Sequence, residues 1–389
     1  MAALPIASGR DIRLDLFRGM ALWFIFLDHI PTNIVSWLTV RNYGFSDATE
    51  IFVFISGYTA VIAYARMMTR EGWLRAAARV YRRVWQLYVA HILLFVAFSA
   101  QVAWVSIASD SQGLIEEMEL LGLGQNPYRA ILEAALLRFR PVNLDVLPLY
   151  IVLLAAFPFV LPALLRWPWA VIAASLSLYA ATCHFDWNLR AYPENKVWFF
   201  DPLAWQVVFY VGAALAVLGP ELKRLDRFRM PISVMAVLYL LFAAFITLGW
   251  QYNPLQNLVP AWIARNLYPI DKTNVDILRF AHFLAIAWLV RLAVPVDAAF
   301  LKWRAFEPMR RCGEQSLLIF CIGTFLALSG QVIVSHFEES LLSQVLVSVG
   351  GILIMCAAAY SAAWFKGGGS AGSGSSDSGR TPAPAEAVP

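Results

Sequence analysis

Apolar residues run in blocks of bilayer-spanning length from Gly19 to Phe365, broken by short stretches rich in Lys and Arg. A helix needs about 20 apolar residues to cross a hydrocarbon core of about 30 Å. By that measure the pattern predicts about ten spanning helices. They are expected near residues 19–38, 50–67, 84–107, 144–165, 169–185, 203–219, 231–250, 275–293, 316–335 and 341–365. The predicted fold class is an all-α polytopic membrane bundle. Residues 1–18 read as an N-terminal segment, 19–365 as one membrane domain and 366–389 as a disordered tail, because the last stretch is rich in Gly, Ser and Pro. The first apolar run is long and no small-residue cleavage site follows it, so it reads as a retained helix rather than a signal peptide.

Composition agrees with this reading. The chain has 389 residues, 60% of them hydrophobic and 14% charged, with mean hydropathy +0.62. An ordinary soluble domain does not carry that balance. The placement of the charges adds an orientation. Most Lys and Arg residues fall in alternate connections, which predicts N-in, C-in topology with a cytoplasmic tail. Two expected external loops are long. Residues 108–143 hold Glu116, Glu117 and Glu119, then an amphipathic stretch from Tyr128 to Arg140 that is expected on the membrane surface. Residues 251–274 are rich in Asn, Pro and aromatics. Cys183, Cys312, Cys321 and Cys356 show no paired spacing, and the histidines are scattered, so neither a disulfide nor a metal constellation is expected.

The candidate chemistry begins with Asp28 and His29, in the middle of the first apolar run. Ionisable groups at membrane depth are costly, and they usually face a bundle interior or a water-filled cavity. Arg18 and His29 are eleven residues apart. On a helix they share a face about 16 Å apart, with Asp15 one turn before Arg18. An arginine at the helix mouth and a histidine deep on the same wall suit a long donor with a charged head and a reactive tip, such as a coenzyme A thioester. A neutral His29 can take a proton from an acceptor hydroxyl, or accept the acyl group itself. Asp28 points about a quarter turn away, and Pro31 breaks the helix just beyond.

Other polar residues carry two readings each. Asp47 and Glu50 open the second helix; they bind acceptor hydroxyls or orient His29, or else they cap the helix. Ser56-Gly57 permits close helix packing. Arg79, Arg82 and Arg83 recur at one-turn spacing and either set topology or hold phosphates. Asp186, Trp187, Tyr192, Trp198, Asp201 and Trp205 cluster near one helix mouth, as a sugar-stacking site or an interfacial belt. Trp262 and Tyr268 lie in the next external loop. Arg279 falls within an apolar run and requires an acidic partner.

Several motifs together resemble the acyltransferase-3 superfamily of bacterial membrane acyltransferases, and within it OpgC. They are Arg13-x-Asp15-x-x-Arg18-Gly19, Asp28-His29-Ile30-Pro31, Asp47-x-x-Glu50-Ile51-Phe52-Val53-Phe54 and Ile55-Ser56-Gly57-Tyr58. Arg82-Arg83-Val84-Trp85-Gln86-Leu87-Tyr88, Asp145-Val146-Leu147-Pro148-Leu149-Tyr150 and Asp201-Pro202-Leu203-Ala204-Trp205-Gln206 complete the set. The likeness spans residues 10 to about 365. Gln86 stands where the wider superfamily often has Pro, a departure that fits the OpgC branch.

The resemblance implies an inner-membrane, multi-pass O-acyltransferase that carries succinyl from succinyl-CoA to a periplasmic glucan or other glycan. It implies no bound cofactor, with acyl-CoA as co-substrate and membrane lipid as surroundings. The expected catalytic residues are His29, Asp28 and Glu50. Arg13, Arg18, Arg79, Arg82 and Arg83 are expected to bind donor. Asp47, Asp145 and Trp205 are expected to bind acceptor. Two other readings stand beside this one. The first is a transporter using Asp28-His29 as a proton relay, against which no inverted repeat of discontinuous helices is visible. The second is a non-catalytic glycan-binding subunit, which His29 argues against.

Overall fold

The computed structural model describes residues 11–108, 113–251 and 259–371. The described residues form an all-α bundle without strands; two isolated bridges, Phe139 with Tyr192 and Arg190 with Val197, tie loops together. The main helices are α1 (Ile12–Asp28), α2 (Ala48–Glu71), α3 (Trp73–Ala108), α4 (Pro127–Ala135), α5 (Val146–Arg166) and α6 (Pro168–Phe185). They continue as α7 (Pro202–Val217), α8 (Arg229–Gln251), α9 (Ile277–Ala293), α10 (Glu307–Glu314), α11 (Ser316–His336) and α12 (Leu341–Ala371).

Local chemistry fixes where the helices begin. Asp11, Asp47, Asp201 and Asp276 each accept a backbone N–H at the start of α1, α2, α7 and α9, satisfying donors that the helix cannot pair internally. At α2 the cap is reciprocal, because the Glu50 side chain accepts from the Asp47 N–H. Pro168 and Pro202 sit in the first turn of α6 and α7, where a missing N–H costs nothing.

Among the described residues, six helical segments are long and apolar enough to cross a membrane: Ala48–Glu71, Trp73–Ala108, Val146–Arg166, Lys223–Gln251, Ser316–His336 and Leu341–Lys366. The other expected spans fall on α1, α6, α7 and α9, which have 17, 18, 16 and 17 residues. Exposed apolar side chains, among them Leu93, Val96, Trp104, Leu238, Leu241, Leu346 and Leu353, face outward along the long helices. Each would cost about 1.5–3 kcal/mol in water, and hydrocarbon removes that cost.

Three expectations change. The first apolar run is not one helix over residues 19–38. α1 stops at Asp28, and short 3-10 turns follow at Ile34–Leu38 and Val40–Tyr43. Pro31 disfavours helical geometry at Ile30 and cannot itself continue the ladder, so the helix closes just before it. The stretch from Tyr128 to Arg140 is not one surface element. α4 ends at Ala135, and Phe139 and Arg140 turn inward. At the other end of the chain, α12 runs past Phe365 to Ala371, because a formed helix gains one bond for each residue added; residues 372–389 of the expected tail lie outside the described residues.

The bundle centres on α2, which packs against α1, α3 and α7, while α7 packs in turn on α5 and α6. α1 is also covered by α10 and α11, α8 pairs with α9, and α11 with α12. Phe26, Phe98, Phe157, Trp205 and Phe209 are fully buried in this core. Two crossings depend on glycine. A Cβ at Gly57 would overlap the Phe209 carbonyl, and one at Gly212 would overlap the Phe54 carbonyl. Gly19 and Gly313 stand in the same relation to the backbones of Met309 and Asp15. Small residues let the axes approach where association relies on packing, so the packing role expected for Ser56-Gly57 holds. Gly57→Ala is expected to cost about 1–3 kcal/mol and Gly57→Leu to abolish the folded monomer, read as the unfolding midpoint in detergent and the chromatographic profile. Gly124→Ala, whose added Cβ meets nothing within 4 Å, should leave both unchanged.

Candidate functional site

A cavity of about 620 Å³ opens at the end of the bundle where α1 finishes and α2 and α5 begin. Asp28, His29, Asp47, Arg140, Asp145 and Lys272 all line it. These six residues come from four separate stretches of sequence.

His29 caps α1, with φ −90° and ψ 0°. Its Nδ1 is hydrogen-bonded to the Ile25 carbonyl oxygen. A carbonyl only accepts, so Nδ1 carries the proton. In the neutral ring the lone pair then lies on Nε2, which has no hydrogen-bond partner among the described residues. Asp28 does not touch the imidazole. Its carboxylate accepts from the Thr39 hydroxyl at 2.7 Å, and its carbonyl accepts from Arg41 at 3.0 Å. The charges of Lys272, Asp47 and Arg41 all bear on His29.

The start of α2 is tied to α9 by buried charge. Arg279 Nη2 lies 2.7 Å from Glu50 Oε1 and 3.1 Å from Asp47 Oδ2, and Arg279 Nε donates to Glu50 at 2.9 Å. Lys272 Nζ donates to Asp47 at 2.6 Å. Arg279 thus finds the acidic partners its position required. Glu50 is fully buried behind the cavity wall, whereas Asp47 and Arg279 form part of it. Of the two readings of Asp47 and Glu50, the cap on α2 is present, and the same carboxylates hold Lys272 and Arg279.

Trp205 does not line the cavity. It is fully buried, and its indole N–H donates to the carbonyls of Lys272 and Thr273 at 3.1 and 3.2 Å. With the Tyr179 hydroxyl on the Val275 carbonyl, it holds the loop that delivers Lys272. Lys272 and Arg140 are absent from the sequence-based candidates. A lysine and an arginine in polar loops carry no local mark, and only their place in the fold singles them out.

Arg140 is 7% exposed and lies 4.0 Å from the centre of the Trp198 ring. Its Nε is 3.6 Å from Asp145 Oδ1, too long for a hydrogen bond. Burial lowers the guanidinium pKa, and Asp145 opposes that shift. Nearby acids are occupied: Glu119 pairs with Lys196 at 2.7 Å, and Glu117 accepts from Gln331 at 2.7 Å.

The expected donor-binding arginines lie elsewhere. Arg13 is held by Asp11 and by the Val294 carbonyl near the start of α1. Arg18 donates to Thr59 Oγ1 at 2.7 Å. Arg79 and Arg82 are exposed on α3, and Arg83 donates to Gln86 at 3.2 Å. α2 has 24 residues, about 36 Å of helix, and the cavity and the α2–α3 turn lie at its opposite ends. Removing one partner of a buried ion pair costs about 3–5 kcal/mol. Arg279→Met should lose stability on that scale in detergent, and adding Glu50→Gln should restore part of it.

No curated protein and no solved structure matches the chain. The family model described as OpgC protein matches residues 10–367, almost the whole of the described bundle, and the chain belongs to the OpgC family, which points to an acyltransferase role in glucan modification.

Proposed function

We propose that this protein is an inner-membrane O-acyltransferase that moves succinyl from succinyl-CoA to hydroxyls of a periplasmic glucan. One observation carries the mechanism: the Ile25 carbonyl holds Nδ1 of His29 protonated, leaving Nε2 as the basic nitrogen of a cavity-lining residue. Nε2 accepts the proton of an acceptor hydroxyl. The hydroxyl oxygen forms a C–O bond to the thioester carbonyl carbon, the C–S bond breaks, and the proton passes to the leaving thiolate. Lys272 and Arg41, the cations whose fields reach His29, offset the charge that develops on the carbonyl oxygen. Asp28 and Asp47 keep Arg41 and Lys272 in place.

The donor enters from the cytoplasm at the other end of α1. Arg18 is about 16 Å from His29 along the helix, which suits an extended thioester arm with its phosphates at the rim. Arg79, Arg82 and Arg83, exposed or half-exposed near the start of α3, are available to hold those phosphates. The acceptor arrives through the cavity from the periplasm.

Two measurements test this reading. The first is mass spectrometry of periplasmic glycans from a deletion strain carrying wild-type protein or His29→Ala at matched membrane levels. A plus-succinyl mass is expected with wild type only, with turnover reduced at least about 100-fold in the variant. Equal restoration by both would make His29 structural, and no change with either would overturn the activity. The second is kinetics of Arg79→Ala/Arg82→Ala, expected to raise KM for succinyl-CoA about tenfold, a loss of about 1.4 kcal/mol, with kcat nearly unchanged.

A further inference from the structure

We propose that Arg140 forms a carboxylate-binding subsite in the His29 cavity, which recognises the free carboxylate of a dicarboxylic acyl group during transfer. The proposal rests on the acyltransferase reading and extends it to donor selection. It starts from a cation in the cavity wall that the fold sets opposite one carboxylate, Asp145, yet leaves without a hydrogen bond among the described residues. Lys272 and Arg279 are closed by Asp47 and Glu50. Lys196 is closed by Glu119 and Arg138 by Glu133. Arg41 is spent on the Asp28 carbonyl and is exposed.

Arg140 differs on each count. Its side chain is 3% exposed, and it makes no hydrogen bond among the described residues. Nε and Nη1 are both shielded from solvent and without an acceptor. A buried charged donor in that state is costly unless something completes it. Its position is nonetheless well defined. The Trp198 ring covers one face at 4.0 Å, and the Asp145 carboxylate stands beyond hydrogen-bond reach at 3.6 Å. Trp198 is itself fixed, since its carbonyl accepts from Asn188 at 3.0 Å and its N–H donates to the Leu189 carbonyl at 2.9 Å. A planar guanidinium held this way presents a fork that fits a carboxylate with two parallel bonds. A neutral acyl tip offers nothing to those donors. Asp145 holds the guanidinium in place and partly offsets its charge, so a monoanion is favoured over a dianionic phosphate.

The carboxylate has two sources, the acyl chain or the acceptor, and we assign it to the acyl chain because Arg140 shares one cavity with His29. Full-length protein in lipid nanodiscs would be assayed with succinyl-CoA and with butyryl-CoA, its uncharged counterpart of equal chain length, each against a neutral and a carboxyl-bearing oligosaccharide. Wild type is expected to prefer succinyl-CoA. Arg140→Met should lower kcat/KM for succinyl-CoA at least tenfold and change that for butyryl-CoA less than twofold. Arg140→Lys, which keeps the charge but not the fork, should fall between them and decides the matter if Arg140→Met does not fold. An equal loss with both donors and both acceptors would make Arg140 a structural residue and overturn the subsite. A loss that follows the acceptor's carboxylate instead would keep the subsite and overturn its assignment to the acyl chain. Transfer of neither acyl group by wild type would overturn the acyltransferase reading, and this one with it.

Discussion

The buried knot of Asp47, Glu50, Lys272 and Arg279 is the constraint on which the site depends. Asp47, Glu50 and Arg279 leave water together with a half-buried Lys272, and each carboxylate is matched by a cation at hydrogen-bond distance. Desolvating any one of them alone would exceed what a single contact returns. The group is therefore stable only when the start of α2, the start of α9 and the loop before α9 meet in one arrangement. That requirement places Lys272 in the cavity that His29 lines and sets the shape of one wall.

The other wall follows from the early end of α1. A continuous helix through residues 29–38 would fill the space in front of His29 and spend its backbone groups internally. Pro31 prevents this, and the chain turns back through 3-10 segments. His29 then caps a helix end, where its ring reaches the Ile25 carbonyl one turn back. One proline thereby creates the opening and fixes the tautomer, with Asp28 drawn aside by Thr39. The glycine crossings at Gly57 and Gly212, and at Gly19 and Gly313, hold α1, α2, α7 and α10 close enough for these ends to meet.

Charge is divided along the bundle. The charges that suit a phosphate-bearing head lie near the start of α1 and on α3. The histidine and the acid-base groups lie at the far end of α1 and the start of α2. The separation follows from helix length rather than from any single contact: α2 spans about 36 Å, so residues adjacent in a family motif list stand at opposite ends of the molecule.

The sequence by itself determined the class of solvent, the rough positions of the helices and the histidine worth attention. Those follow from composition, apolar run length and the cost of a buried ionisable group, all local properties. It also marked Gly57 for close packing and Arg279 as needing an acid, since a cation in an apolar run cannot stand alone. Where it misled, the cause was again local: an apolar run over residues 19–38 reads as one helix until the geometry imposed by Pro31 is applied. Tertiary structure alone decided which polar groups meet. Glu50 and Arg279 are 229 residues apart, and Asp47 and Lys272 are 225. Asp47 and Glu50 look alike in sequence, yet one lines the cavity and the other is sealed behind it. Trp205 reads as part of a sugar-stacking site or an interfacial belt and is buried as a brace on the Lys272 loop, while Arg140 reads as one charge on a surface stretch and lies buried without a hydrogen bond among the described residues. Periodicity reports which face a residue occupies; only the packed bundle reports what that face is turned toward.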